Sequence, residues 1–141
     1  MIPGCTIETP GTSYTSYGWI EDTESTGKFE GYNYLMSDNK GKGSTWAAAK
    51  ISWEGLTSVT FYYRSYAESS YDYMVLSTLD FASWTSMPTS TSAGVYAHTS
   101  SKQTTTFNMV TYECSTDPHH IWILYRKDGS VDSNADRGYI G

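Results

Sequence analysis

The sequence predicts an all-β fold, a two-sheet antiparallel β-sandwich of jelly-roll type. Three observations carry that expectation. Apolar residues alternate with a period of 2 wherever a period is legible, and nowhere with the 3.6 of a helix. The composition favours strands, with 13 Tyr, 5 Trp and abundant Ser and Thr, while only 17% of the 141 residues are charged. Short candidate strands are separated by turn-forming residues, and many short strands of this kind pack as two antiparallel sheets.

The length suits one domain over residues 1–141, with residues 1–13 as an extended N-terminal segment. Met1 is followed by Ile2-Pro3-Gly4-Cys5, with no basic or apolar run of the kind a secretion signal carries. Weak strand patterns follow over residues 14–20, 32–36 and 45–52. Ala47-Ala48-Ala49 is helix-friendly but too short to form one. The clearest strand covers 59–65, where Val59, Phe61 and Tyr63 share one face and Thr60, Tyr62 and Arg64 the other. The next covers 71–79, and the polar run Ala67-Glu68-Ser69-Ser70 reads as a hairpin connection between the two. Residues 85–104, rich in Ser and Thr with Pro88 and Gly94, read as an irregular surface loop, followed by a weak strand over 105–112. Residues 120–126 are apolar on both faces, so this strand belongs in the middle of a sheet; Lys127-Asp128-Gly129-Ser130 ends it with turn chemistry.

Charge and composition exclude several classes of function. The net charge is −6 with 9 basic residues, so there is no basic stripe to hold a phosphate backbone, and no nucleic-acid partner is expected. No apolar run approaches the roughly 18 residues a membrane-spanning helix needs. No Gly-x-Ser-x-Gly elbow and no phosphate-binding glycine loop is present. His119 and His120 are adjacent on a strand and point to opposite faces, so they cannot chelate one ion together. No enzymatic activity is expected.

A few constellations remain as candidates. Glu68 and Asp72 flank the expected hairpin. Carboxylates there can fix a turn through backbone N–H groups, hold a cation, or act as an acid/base pair, and the first role is the expected one. Asp132, Asn134 and Asp136 place oxygen ligands at alternate positions, as at the start of a calcium loop. Arg137 stands where an EF-hand needs Gly, so the alternatives are a looser structural calcium site or a solvated loop. Calcium is the one cofactor the sequence admits. Cys5 and Cys114 are the only cysteines and can form a long-loop disulfide or remain two free thiols. The aromatic residues are the strongest lead. Tyr62, Tyr66 and Tyr71 lie on or beside the first hairpin, and Trp84 lies beside the long loop. Exposed Tyr and Trp stack on sugar rings and anchor protein interfaces, so these four are the candidate ligand-binding residues.

Two segments carry a family resemblance. One is Val59-Thr60-Phe61-Tyr62-Tyr63-Arg64-Ser65-Tyr66-Ala67-Glu68-Ser69-Ser70-Tyr71-Asp72-Tyr73. The other is Ile121-Trp122-Ile123-Leu124-Tyr125-Arg126-Lys127-Asp128-Gly129-Ser130-Val131, followed by Asp136-Arg137-Gly138-Tyr139-Ile140. Together they resemble jelly-roll modules related to MAM-type and cleaved-adhesin domains, which occur in surface proteins of gut Bacteroidetes and in structural proteins of their phages. In such modules the aspartate matching Asp136 is structural. Members of the group often continue past the Tyr-Ile pair into a last strand. Here the sequence stops at Gly141, so that strand is expected to be very short, absent or supplied by a neighbouring chain, leaving an open sheet edge.

The resemblance implies a non-catalytic attachment or assembly module. In one version it is a virion component of a tailed phage, a capsid decoration or fibre domain at the virion surface. Its partners would be copies of itself or other virion proteins, and a chain without a secretion signal suits cytoplasmic virion assembly. In the other it is an extracellular or lipid-anchored adhesin or carbohydrate-binding module whose partners include glycans.

Overall fold

The computed structural model describes residues 5–8, 18–21, 34–39, 45–67, 72–78, 94–100, 107–116, 118–127 and 137–141. Ten strands run through them: β1 (Cys5–Glu8), β2 (Trp19–Glu21), β3 (Leu35–Ser37), β4 (Trp46–Trp53), β5 (Ser58–Tyr66), β6 (Tyr73–Ser77), β7 (Val95–Thr99), β8 (Asn108–Glu113), β9 (His120–Arg126) and β10 (Arg137–Ile140). They form two five-stranded antiparallel sheets with the orders β1-β4-β9-β6-β7 and β2-β3-β10-β5-β8. The first order is called the front sheet below and the second the back sheet. No helix interrupts the described residues.

One core joins the sheets, and strand alternation selects its members. The front sheet contributes Ala47, Ala49, Ile51 and Trp53 from β4, Met74 and Leu76 from β6, and Ile121, Ile123 and Tyr125 from β9. The back sheet contributes Trp19, Leu35, Phe61, Tyr112 and Ile140. The face expected for Val59, Phe61 and Tyr63 is the inward one. The alanine run belongs to β4, where its small side chains admit the Trp19 indole. That indole crosses between sheets and donates from Nε1 to the Ala47 carbonyl at 3.2 Å. β9 lies between β4 and β6 and is buried on both faces, as its sequence predicts. Trp122 and Leu124 pack with Ala48 and Val75 in a second apolar cluster on the outer face of the front sheet.

Three expectations are corrected. β5 and β6 do not form a hairpin, because they lie in opposite sheets. The partner of each strand was not legible in the local sequence. The core prefers β6 beside β9, where Met74 and Leu76 flank Tyr125 and Ile123 in register. The long loop expected over 85–104 contains β7, which pairs with β6 through a register shift at Leu76/Ser77. The C-terminal motif does not lie at an open edge: β10 is inserted between β3 and β5. Gly141 extends the pairing, donating its N–H to Tyr62 O at 2.7 Å and accepting from Tyr62 N–H at 2.9 Å.

Gly138 shows why β10 has the composition it does. A Cβ there would lie 2.7 Å from Trp19 Cη2 and 3.2 Å from both Met74 Sδ and Tyr125 Cδ2. Its N–H donates to the buried Ser37 Oγ at 3.0 Å. A side chain at this position would push the two sheets apart. Gly55, in the connection from β4 to β5, has φ of 72°, a left-handed conformation that suits glycine.

Candidate functional site

The outer face of the back sheet is the candidate contact surface. On β5 the residues Thr60, Tyr62, Arg64 and Tyr66 point outward, opposite the core set of Val59 and Phe61. On β8 the outward set is Met109, Thr111 and Glu113. The register places Tyr62 opposite Met109 and Thr60 opposite Thr111, and the two threonine hydroxyls are hydrogen-bonded at 2.9 Å. Met109 is 63% exposed, and at the other side of the sheet Ile20 is 40% exposed. The result is an exposed band of threonine and methionine along β8 and the start of β5, flanked by the half-buried Tyr62 and Tyr66.

Beneath the band two arginines are sunk into the same face. The Arg64 guanidinium lies 4.2 Å from the centre of the Tyr139 ring and 5.2 Å from that of Phe107. Phe107 in turn packs on Tyr34 at 4.7 Å. These two cation–π contacts hold the guanidinium and tie β5, β10 and the entry to β8 together. Arg137 donates from Nη1 to the Met36 sulfur at 2.8 Å. The alternation that puts Arg64 on the outer face was legible in the sequence. Its ring partners were not, because they come from segments far away in the chain.

Of the candidate ligand-binding residues, the structure brings Tyr62 and Tyr66 to this face with Arg64 between them. Tyr71 and Trp84 lie outside the described residues. So do Asp132, Asn134 and Asp136, the calcium candidates, and Glu68. Among the described residues no group of three or more His, Cys, Asp or Glu is placed to hold a metal ion. Asp72 is fully buried with its Oδ2 3.7 Å from Lys127 Nζ, itself fully buried, and its backbone carbonyl accepts from Ser100 Oγ at 2.6 Å. That carboxylate ties the entry of β6 to the end of β9, which is a structural use.

The cysteines meet the core near Trp53. Cys5 lies opposite Trp53 in the β1–β4 register, and burial pushes its thiol pKa up. Cys114 is fully buried, and the Trp53 indole donates to its Sγ at 3.3 Å. Both are free thiols. Burial likewise raises the pKa of the Tyr63 hydroxyl, on the core side of β5. A recess beside β1 is lined, among the described residues, by Thr6, Ser52, Trp53 and Glu54.

Fold and surface together define a class: a two-sheet antiparallel β-sandwich that presents an aromatic and threonine-rich sheet face. Comparison with known proteins goes no further, since no family model, no curated protein and no solved structure matches the chain. No helix among the described residues is long and apolar enough to cross a membrane.

Proposed function

We propose that this protein is a non-catalytic attachment module, a virion component of a tailed phage acting as a capsid decoration or fibre domain. The observation that carries the attachment reading is the open β8 side of the outer face of the back sheet. Exposed Met109, Thr60 and Thr111 sit there with the half-buried Tyr62, beside the Arg64 and Tyr139 contact. Rigid tyrosines contribute large contact area at low entropic cost, as an attachment surface requires. The virion assignment is supported by the resemblance of residues 59–73 and 121–140 to modules of phage structural proteins, and a jelly-roll connectivity of the two sheets belongs to the same proposal.

Co-sedimentation of the purified chain with capsids assembled from the capsid genes of its own genomic neighbourhood tests it. Saturable binding at a fixed ratio to the capsid protein is the expected result. Absence of capsid binding overturns it. A second reading, a carbohydrate-binding module, is favoured by the pair Tyr62 and Tyr66 two turns of the pleat apart on one face. It predicts binding to one glycan class on an array, lost in Tyr62→Ala.

A further inference from the structure

Among the described residues four strands, β1, β7, β2 and β8, form the sheet edges. The described part of β2 has three residues and that of β1 four. β7 pairs with its neighbour through a register shift. Short length, charge and bulges are the devices that keep an edge from recruiting another strand. β8 is the longest of the four and has no bulge, and its one charge, Glu113, stands at its end. Its six residues pair with β5 in unbroken register from Ser58↔Glu113 to Tyr63↔Asn108, and it contains no proline and no lysine.

The parity of the back sheet tells which β8 groups face outward from the edge. Tyr62 gives both its N–H and its C=O to Gly141, on the β10 side. Alternation therefore directs the backbone groups of Val59, Phe61 and Tyr63 towards β8. Cys114 donating to Thr57 O at 2.7 Å continues the same parity. The β8 residues bonded to β5 are Asn108, Val110 and Tyr112. Met109, Thr111 and Glu113 then direct N–H and C=O away from the sheet, and these are the exposed residues of the strand.

We infer that a second copy of this chain occupies this edge, the two β8 strands pairing antiparallel about a two-fold axis at Thr111 to make one continuous ten-stranded sheet. This does not depend on the attachment reading above. Among registers that keep outward groups paired, Thr111 opposite the other copy's Thr111 engages all three outward residues, with Met109 opposite the other copy's Glu113. It extends the Thr60–Thr111 hydroxyl contact across the axis and sets Val110 beside the other copy's Tyr112 on the core side, a favourable β-branched and aromatic pair. Charge permits it: Glu113 is the one charged residue of β8, and this register holds the two copies of Glu113 about 14 Å apart, beyond the screening length of about 8 Å at physiological salt.

Sedimentation velocity of the full chain over a concentration series tests the inference, together with Thr111→Lys, Thr111→Pro and, as a control at another edge, Thr6→Lys. Thr111→Lys sets two like charges face to face on the axis. Thr111→Pro removes an outward N–H without touching the β5 ladder. The wild type and the Thr6 variant are expected to dimerise, and either Thr111 variant to weaken self-association by more than about tenfold while keeping the wild-type circular dichroism. Should one Thr111 variant fail to fold, the other serves. The Thr111 amide should also gain protection from hydrogen exchange as concentration rises. A wild-type chain that stays monomeric to about 1 mM, or an oligomer that a folded Thr111 variant leaves intact, overturns the inference.

Discussion

The front and back sheets have the same number of strands and the same alternation, yet they use their outer faces differently. In the front sheet the outer face is a second core: Ala48, Val75 and Leu124 are fully buried and Trp122 nearly so. In the back sheet the outer face towards β8 is open, with Met109 63% exposed and Thr60 and Thr111 at the surface. Alternation decides which residues leave the main core, but it does not decide whether they then meet protein or water. A sheet buried on both faces is a scaffold. A sheet with one open face can be a contact surface.

The largest test of this difference pairs one aromatic from each outer face. Trp122→Ala should cost about 3–5 kcal/mol and lower the melting temperature by roughly 10–15 °C, since it empties a packed site. Tyr62→Ala should change stability by less than about 1 kcal/mol while weakening whatever the back face binds. Thermal unfolding of both variants checks the pair. Equal losses would erase the distinction between the sheets.

Much of this difference was written in β5 and β9, and little of it elsewhere. Thr60, Tyr62 and Arg64 opposite Val59 and Phe61 is a half-buried strand, and residues 120–126 have no polar face, so both assignments followed from the local pattern. Pairing was not legible. The β5–β6 hairpin looked local because the residues between the strands are turn-formers. Which sheet a strand joins depends on packing against residues dozens of positions away, such as Tyr125 beside Met74. The Arg64 clamp depends on Tyr139 and Phe107 in the same way. β7 was missed because its Ser/Thr-rich flanks dominate the composition of the window around it. Of the candidate contact residues, Tyr62, placed by alternation on a clear strand, and Tyr66, one residue beyond that strand, lie half-buried on the outer face of the back sheet.

A smaller effect probes what holds the two sheets at their spacing. Gly138→Ala introduces a methyl group at 2.7 Å from Trp19, a back-sheet residue, and 3.2 Å from Met74 and Tyr125 of the front sheet. Overpacking of this kind costs about 1–3 kcal/mol, and the melting temperature should fall by about 3 °C for each of them. The cost arises at the shared core, so shortening Trp19, as in Trp19→Phe, should recover part of it in the double variant. A double variant whose loss is the simple sum of the two singles would show that the clash is relieved elsewhere.

The smallest effect concerns one ionisable group from each sheet. Cys5 faces the core from β1 and Tyr63 from β5, and burial raises both pKa values, from ordinary values of 9.0 and 10.0. A group whose folded pKa is raised stays protonated in the folded chain while the unfolded chain loses its proton. Its contribution is therefore fully present below the unfolded pKa and is lost as pH rises through the folded one. Denaturant midpoints for these groups should hold steady from pH 7 to about 8.5, then begin to fall above about pH 9 as unfolded Cys5 ionises, and more steeply above about pH 10 as unfolded Tyr63 does. Cys5→Ser should flatten the lower part of that decline and Tyr63→Phe the upper part. If neither substitution alters the curve, the inward faces of β1 and β5 are better hydrated than their packing against the core implies, and the contrast between a dry interior and an open back face weakens accordingly.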